Sequence, residues 1–428
     1  MYVPPAGQAF FPLDEELELL PGSLTPNLQE DLVHLGTWMP FERATRELQH
    51  FRGVDVSRPT AERLTEAAGA AYVTWQTAEV ERIEKDLPPP PAGPERQFLS
   101  VDGAMVPLVG GTWAEVKTLA LGEVLPAVEV KGERVIRTDK LSYFSRMIDS
   151  DTFQRLALVE TQRRGVETAG QVGAVTDGSD WIQGFVDLHR PDAIRILDFP
   201  HAGDHLSEVA QTVFGEGSTE AQAWLATQMH QLKHAGPASV LTEVRQLVAT
   251  QADQANLGKE LAYLEKREAL MQYPKFLDAG WPIGDGAVES ANKLVVEARL
   301  KGSGMHWAPD HVDPMVALRT VACNDRWDEA WPQVVGILRQ QEQRRRADRH
   351  RQRHRPVAQP PIAPAQAAVP VSESDNTSKA ILPRPKSQPK QQTSPGEPWR
   401  PAANHPWRRM PVGRARYAPT VKQPDAKS

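Results

Sequence analysis

The stretch Gln97-Phe98-Leu99-Ser100-Val101-Asp102-Gly103-Ala104-Met105-Val106-Pro107-Leu108 reads as one β-strand with an acid inside it. Its apolar run ends near Val101, and an unpaired carboxylate at Asp102 in such a strand is costly. Residues 113–124 read as a second strand and 127–138 as a weaker third. Residues 139–164 then read as a helix, with Phe144, Ile148, Phe153, Leu156 and Val159 on its buried side. A short strand over 171–176 ends at Asp177, a helix covers 179–188, and a strand over 193–197 ends at Asp198.

Three strands, a helix, a strand, a helix and a strand is the order of an RNase-H-like α/β core with a mixed sheet, which needs one more helix on that sheet. Residues 286–300 supply it, with Ala287, Ala291, Leu294 and Ala298 as the expected apolar side. The stretch from 201 to about 276 reads as wholly helical, a large insertion ahead of that closing helix. One of its stripes is Leu257, Leu261 and Leu264.

Upstream, residues 12–87 are expected to be helical. Phe41, Ala44, Leu48 and Phe51 share one face, and Ala61, Leu64 and Ala68 another. Between them lie Gly53 and then Ser57, an N-cap with Pro59 in the first turn. Two short helices joined in this way suit a helix-turn-helix, with Arg58, Thr60 and Arg63 at the exposed start of the second. Two ordinary packed helices fit the same pattern. The prolines at 88–91 and Pro94 predict a semi-rigid spacer. From about residue 340 apolar residues are too sparse for a core, so disorder is expected. The expected parts are a helical region 1–87, a linker 88–96, the first part of the core 97–203, the insertion 204–280, the end of the core 281–338, and a tail 339–428.

The net charge of −6 hides an asymmetry. From Arg339 onward there are 19 basic and 6 acidic residues, so that end carries +13 and the remainder −19. A basic tail on an acidic body suits nucleic acid bound through counterion release, and also suits a solvated tail. The single cysteine, Cys323, excludes an internal disulfide and a Cys-based zinc cluster. With no secretory signal and no apolar stretch long enough for a membrane span, a soluble cytoplasmic protein is expected.

Asp177 lies at the carboxyl end of a strand, where open α/β sheets place ligand-binding groups. Glu289 lies one turn into the closing helix. In the expected sheet the first strand lies beside the fourth, so Asp102, Asp177 and Glu289 converge. Such a trio is relieved by hard cations, and two Mg²⁺ or Mn²⁺ ions there suit phosphodiester displacement. Taken singly, each acid also fits a turn or a helix start. His201 and His205, four apart, have a spacing that can hold a metal such as zinc. Asp198 can cap the helix that opens at Pro200. Trp224, Trp281 and Trp307 can stack on an unpaired base or close the insertion onto the core.

Four segments carry a family resemblance: Phe98 to Val106 around Asp102; Ala174 to Ile182 around Asp177; Ile196-Leu197-Asp198-Phe199-Pro200-His201-Ala202; and Pro282-Ile283-Gly284-Asp285-Gly286-Ala287-Val288-Glu289-Ser290-Ala291-Asn292-Lys293. In this order they resemble bacterial insertion-sequence transposases of the Mutator-like group, from about residue 10 to 331. The stretch Arg299-Leu300-Lys301-Gly302-Ser303-Gly304-Met305-His306-Trp307 also resembles the pattern after the family's glutamate. The resemblance implies an RNase-H-like core with a helical insertion and a metal-binding triad of Asp102, Asp177 and Glu289. It also implies a C/D-x-x-H signature at Asp198 and His201, in which His201 supports catalysis from beside the phosphate or by orienting a carboxylate. Cleavage of transposon ends and strand transfer into target DNA would follow, by a homo-oligomer assembled on DNA near the nucleoid. Lys293, Arg299 and Lys301 are candidate DNA contacts. Relatives often begin with a Cys-rich zinc ribbon and carry a basic residue seven positions after the glutamate, where this chain has Val296. The alternatives are an RNase-H-like nuclease or resolvase without strand transfer, and a non-catalytic DNA-binding remnant.

Overall fold

Alternating burial along Arg96–Pro107 makes strand β1 the centre of the molecule. Leu99 and Val101 pack on one side, and Phe98, Ala104 and Val106 on the other. The computed structural model describes residues 19–20, 24–130, 133–250 and 254–353, all within the first of two units, Met1–Pro356. β1 pairs antiparallel with β2 (Trp113–Val124) across a turn in which Gly110 and Gly111 take φ of 89° and 81°. A small hairpin of β3 (Val128–Val130) and β4 (Glu133–Val135) follows, then β5 (Thr138–Arg146), antiparallel to β2. β6 (Gln171–Thr176) runs parallel to β1, and β7 (Ile194–Leu197) parallel to β6. The mixed five-stranded sheet has the order β5-β2-β1-β6-β7.

Parallel neighbours need crossovers, and helices provide them. α4 (Ser150–Leu156) and α5 (Leu158–Arg163) precede β6, and α6 (Asp180–His189) joins β6 to β7. They cover one face through Phe153, Ile182 and Phe185. The other face carries two clusters. One belongs to the insertion: α7 (Phe199–Phe214), α8 (Thr219–His234), α9 (Pro237–Thr250), α10 (Gln254–Lys266) and α11 (Tyr273–Asp278). The other joins the N-terminal helices α1 (Pro26–Trp38), α2 (Phe41–Arg52) and α3 (Arg58–Asp86) to the last described part of the chain. That part comprises α12 (Gly286–Ala291), a π-helical stretch (Asn292–Glu297), α13 (Ala298–Leu300), α14 (Pro309–Cys323) and α15 (Trp327–Arg353). Among the described residues no helix is long and apolar enough to cross a membrane.

Several expectations need correction. The third strand of the sheet is β5, and the segment before it is the β3–β4 hairpin. Phe144, Ile148 and Phe153 fall by chance at helical spacing; Phe144 is buried, but from a strand. The closing helix buries Val288, Ala291, Val295, Val296 and Leu300, while Leu294 and Ala298 are exposed. Its apolar side is therefore turned by about one position from the expected stripe.

Ser57 caps α3 through the Thr60 amide, as its spacing predicts, but the helix then runs 29 residues instead of being short. Small residues let it lie close to α14: a Cβ on Gly69 would stand 2.2 Å from the Pro314 carbonyl oxygen. The proline segment is no free spacer. Thr168 Oγ1 donates to Pro91 O at 2.5 Å, and Gly170 N to Pro94 O at 3.0 Å. Disorder does not begin at residue 340 either, because α15 continues to Arg353; the remainder of the expected tail, 354–428, lies outside the described residues.

Candidate active site at the carboxyl edge of the sheet

Strand register sets the site. Leu99 of β1 pairs with Ala174 of β6, and three residues further on in that register come Asp102 in β1 and Asp177 just past the end of β6. Thr176 pairs with Leu197, so Asp198 stands level with Asp177 in turn. Period-two alternation puts Asp102 on the face of Phe98 and Ala104, and Asp177 on the face of Val175. Both are the side covered by the insertion and the closing helix.

Each acid is held differently. Asp102 Oδ2 accepts from Asn292 Nδ2 at 2.8 Å, which ties β1 to the closing helix. Burial raises its pKa, and the Asp177 charge adds to this. Asp177 Oδ1 accepts from Ser179 N at 2.8 Å, an Asx turn that fixes the carboxylate against its own backbone. Asp198 is 3% exposed and accepts from two segments at once: His201 N on Oδ2 and Asp285 N on Oδ1, both at 2.8 Å. The first bond is the expected helix cap; the second fastens the start of the closing helix to the end of β7. Burial raises the pKa of Asp198 also. Asp285 is pushed up to about 8 by burial, then by the charges of Asp198 and Asp102, the hydrogen bond to Asp198 and the charge of Glu289. Glu289 is the outermost acid, its side chain 62% exposed and 2.5 Å from Lys293 Nζ.

The other expected residues divide into available and buried ones. Lys293 is exposed one turn after Glu289, as expected. Lys301 is half-buried and pairs with Glu297 at 2.6 Å. Arg299 is 2% exposed, donates to Gly36 O at 3.0 Å and lies over the rings of Phe41 and Trp307, so it is a packing residue and not a DNA contact. Arg58 and Arg63 are exposed at the start of α3, whereas Thr60 is half-buried with its hydroxyl on Ser57.

Trp281 is 1% exposed, with its ring against Gly173 and the Arg96 guanidinium over it. Trp307 is buried and donates to Leu300 O at 3.1 Å. Neither is free to stack on a base. Trp224 is half-buried, with its Nε1 on Glu243 at 2.6 Å.

His201 and His205 touch edge to edge, but His205 is taken up by Glu260, 2.5 Å away, and by stacking on Tyr263. His201 also meets the Tyr263 ring. Reading by sequence missed Asp285, Asn292, Tyr263 and Arg267. The first two carried a signal, since both lie in the glutamate motif, one turn either side of Glu289 or nearly so. Tyr263 and Arg267 lie off the Leu257-Leu261-Leu264 stripe and carried none.

Among the described residues one set of three ligand atoms comes mutually within 4.8 Å and can hold a metal ion: those of Glu62, Glu66 and His311, between α3 and α14. Asp102, Asp177 and Glu289 are not drawn that close. In the Glu62 set His311 Nδ1 already stands 2.8 Å from Glu66 Oε1, and Arg58 approaches Glu62 at 3.9 Å. No protein-family model matches the chain, and no curated protein matches it.

Proposed function

We propose that the protein is a DDE-type DNA transposase with an RNase-H-like core, in which Asp102, Asp177 and Glu289 hold two Mg²⁺ or Mn²⁺ ions. The observation that carries this reading is the register: two adjacent parallel strands bring one aspartate within β1 and another just past the end of β6, facing a closing helix that bears Glu289 and hydrogen-bonds Asp102 through Asn292. The donor set fits hard divalent ions. It is all oxygen, burial and then the neighbouring carboxylate charges lift Asp285 to about 8, and beside Asp102 the buried Asn292 Oδ1 has no hydrogen-bond partner. The wide spacing suits two ions better than one. A single ion with ligands at about 2.1 Å spans outer oxygens no more than about 4.2 Å apart, whereas two ions roughly 3.5–4 Å apart span more.

Such ions would stabilise charge on the attacking and leaving oxygens of a phosphodiester. The chain's own groups orient the substrate. Lys293, paired with the exposed Glu289, is placed to move onto a DNA phosphate. Arg344, Arg345, Arg346, Arg349 and Arg351 on the outer part of α15 add a basic surface for the duplex. End cleavage followed by attack of the freed 3′-OH on target DNA needs two ends together, hence a dimer or larger assembly on DNA.

The test is strand cleavage on duplexes carrying the element's ends. Asp102→Ala, Asp177→Ala and Glu289→Ala should each lose at least about a thousandfold, roughly 4 kcal/mol of transition-state stabilisation, with duplex affinity unchanged. Cutting retained by Asp177→Ala would move that ligand to Asp180 or Asp198. Joining of pre-cleaved ends separates a transposase from a nuclease on the same fold.

A further inference from the structure

Tyr263 and Lys266 lie in the last turn of α10 and Arg267 directly follows it, and all three reach the turn that carries Asp177. The Tyr263 hydroxyl donates to the Asp177 carbonyl oxygen. Arg267 Nε donates to the Gly178 carbonyl oxygen at 3.0 Å, and Lys266 Nζ pairs with Asp180 at 2.6 Å. Arg267 is 8% exposed, and its guanidinium lies 3.6 Å from the centre of the Tyr263 ring. The fit leaves no room: Gly178 has φ of 74°, and a Cβ there would stand 2.6 Å from Arg267 Nε. From α7, His205 stacks on the same tyrosine ring at 3.6 Å and is held by Glu260 of α10.

We infer that the helical insertion is a positioning element for the site: the end of α10, through Tyr263 and the following Arg267, grips the Asp177 turn and so sets the direction in which the Asp177 carboxylate points. The causal chain is short. The carbonyls of Asp177 and Gly178 lie beyond the last residue of β6, so the insertion supplies donors that the sheet does not. With the backbone fixed, the Asx turn from Asp177 Oδ1 to Ser179 N fixes the carboxylate. Tyr263 and Arg267 touch neither substrate nor metal in this scheme; they act through Asp177. The inference rests on the reading of Asp177 as a metal ligand, and it makes the insertion part of the catalytic unit.

The experiment uses the full-length chain with Tyr263→Phe, which keeps the ring on His205 and removes only the hydroxyl, and Arg267→Lys as a second variant. Amide exchange at residues 177–180 is measured alongside Mn²⁺ binding and the Mg²⁺ dependence of cleavage. Exchange should speed up by about threefold to tenfold, the size of one lost hydrogen bond, while β1 and β6 keep their protection. The metal concentration for half-saturation should rise by a similar factor, and saturating metal should restore most of the rate. Unchanged exchange with unchanged metal dependence overturns the inference. So does a uniform fall in melting temperature and rate with metal dependence unmoved, the signature of a merely structural role. If the wild-type chain binds no Mn²⁺ and cuts no DNA, the transposase reading fails, and the exchange difference alone decides whether the grip exists.

Discussion

Two clusters of carboxylates occur in this molecule, and their charges are balanced in opposite ways. At the sheet edge Asp102, Asp177, Asp198, Asp285 and Glu289 neighbour one another, and for Asp285 burial, three carboxylate charges and a hydrogen bond to Asp198 all push the pKa upward. Between α3 and α14, burial also raises Glu66, but the charge of His311 pulls it back, and Arg58 stands near Glu62. The second cluster is tighter as a ligand set, and basic side chains already stand beside both of its carboxylates. The first is looser: Lys293 pairs with its exposed member Glu289, while Asp102, Asp198 and Asp285 have their pKa values raised by burial. Proximity of ligand atoms is therefore a weaker sign of a cation site than an unbalanced charge held in place by the backbone.

The largest effect that can break this contrast is pH dependence in metal-free buffer. Asp285 titrates near 8 in the folded protein and near 4 when unfolded, so between these values the native state holds a proton that the unfolded state lacks. Its contribution to stability is complete below about pH 4 and is lost as pH rises through about 8, by up to about 1.4 kcal/mol per unit. Denaturant unfolding with chelator at pH 5, 6.5 and 8 should show this decline, and Asp285→Asn should flatten it. Stability that rises over this range would refute the account of the sheet edge.

A smaller effect is expected from metal. Mg²⁺ or Mn²⁺ at a hundredfold excess over Kd should stabilise the chain by about 2.7 kcal/mol. Asp102→Asn should remove most of that response, while His311→Ala leaves it intact; the reverse pattern in thermal melts would exchange the roles of the two clusters. Smallest is the direct cost of His311→Ala. Its side chain is 42% exposed, and a partly exposed ion pair of this kind contributes about 1 kcal/mol or less. A much larger loss would show that the second cluster holds α3 to α14.

Most of the sheet edge was legible because β6 and β7 are short apolar runs each followed by an acid, Asp177 and Asp198, with Asp102 in the neighbouring β1. What escaped was decided by tertiary contacts. Phe144, Ile148 and Phe153 satisfy a helical period whichever element they occupy, and the pairing of β5 with β2 decided it. Arg299 looks like a phosphate contact until Phe41 and Trp307 are folded over it, and Trp281 looks free until Gly173 receives its ring. Tyr263 and Arg267 act on a turn more than eighty residues upstream, a separation that no local pattern reports.

The shared register of Asp102, Asp177 and Asp198 also defines where the chain tolerates changes of length. Because side chains alternate at every residue, one residue gained or lost inside β6 would turn Asp177 to the opposite face and silence the site, even though every motif would still be present in the sequence. At the Gly110–Gly111 turn, where a Cβ on either residue would meet nothing within 4 Å, an insertion of several residues leaves all three acids level. Chain length between the strands is free, and the parity of each strand is not.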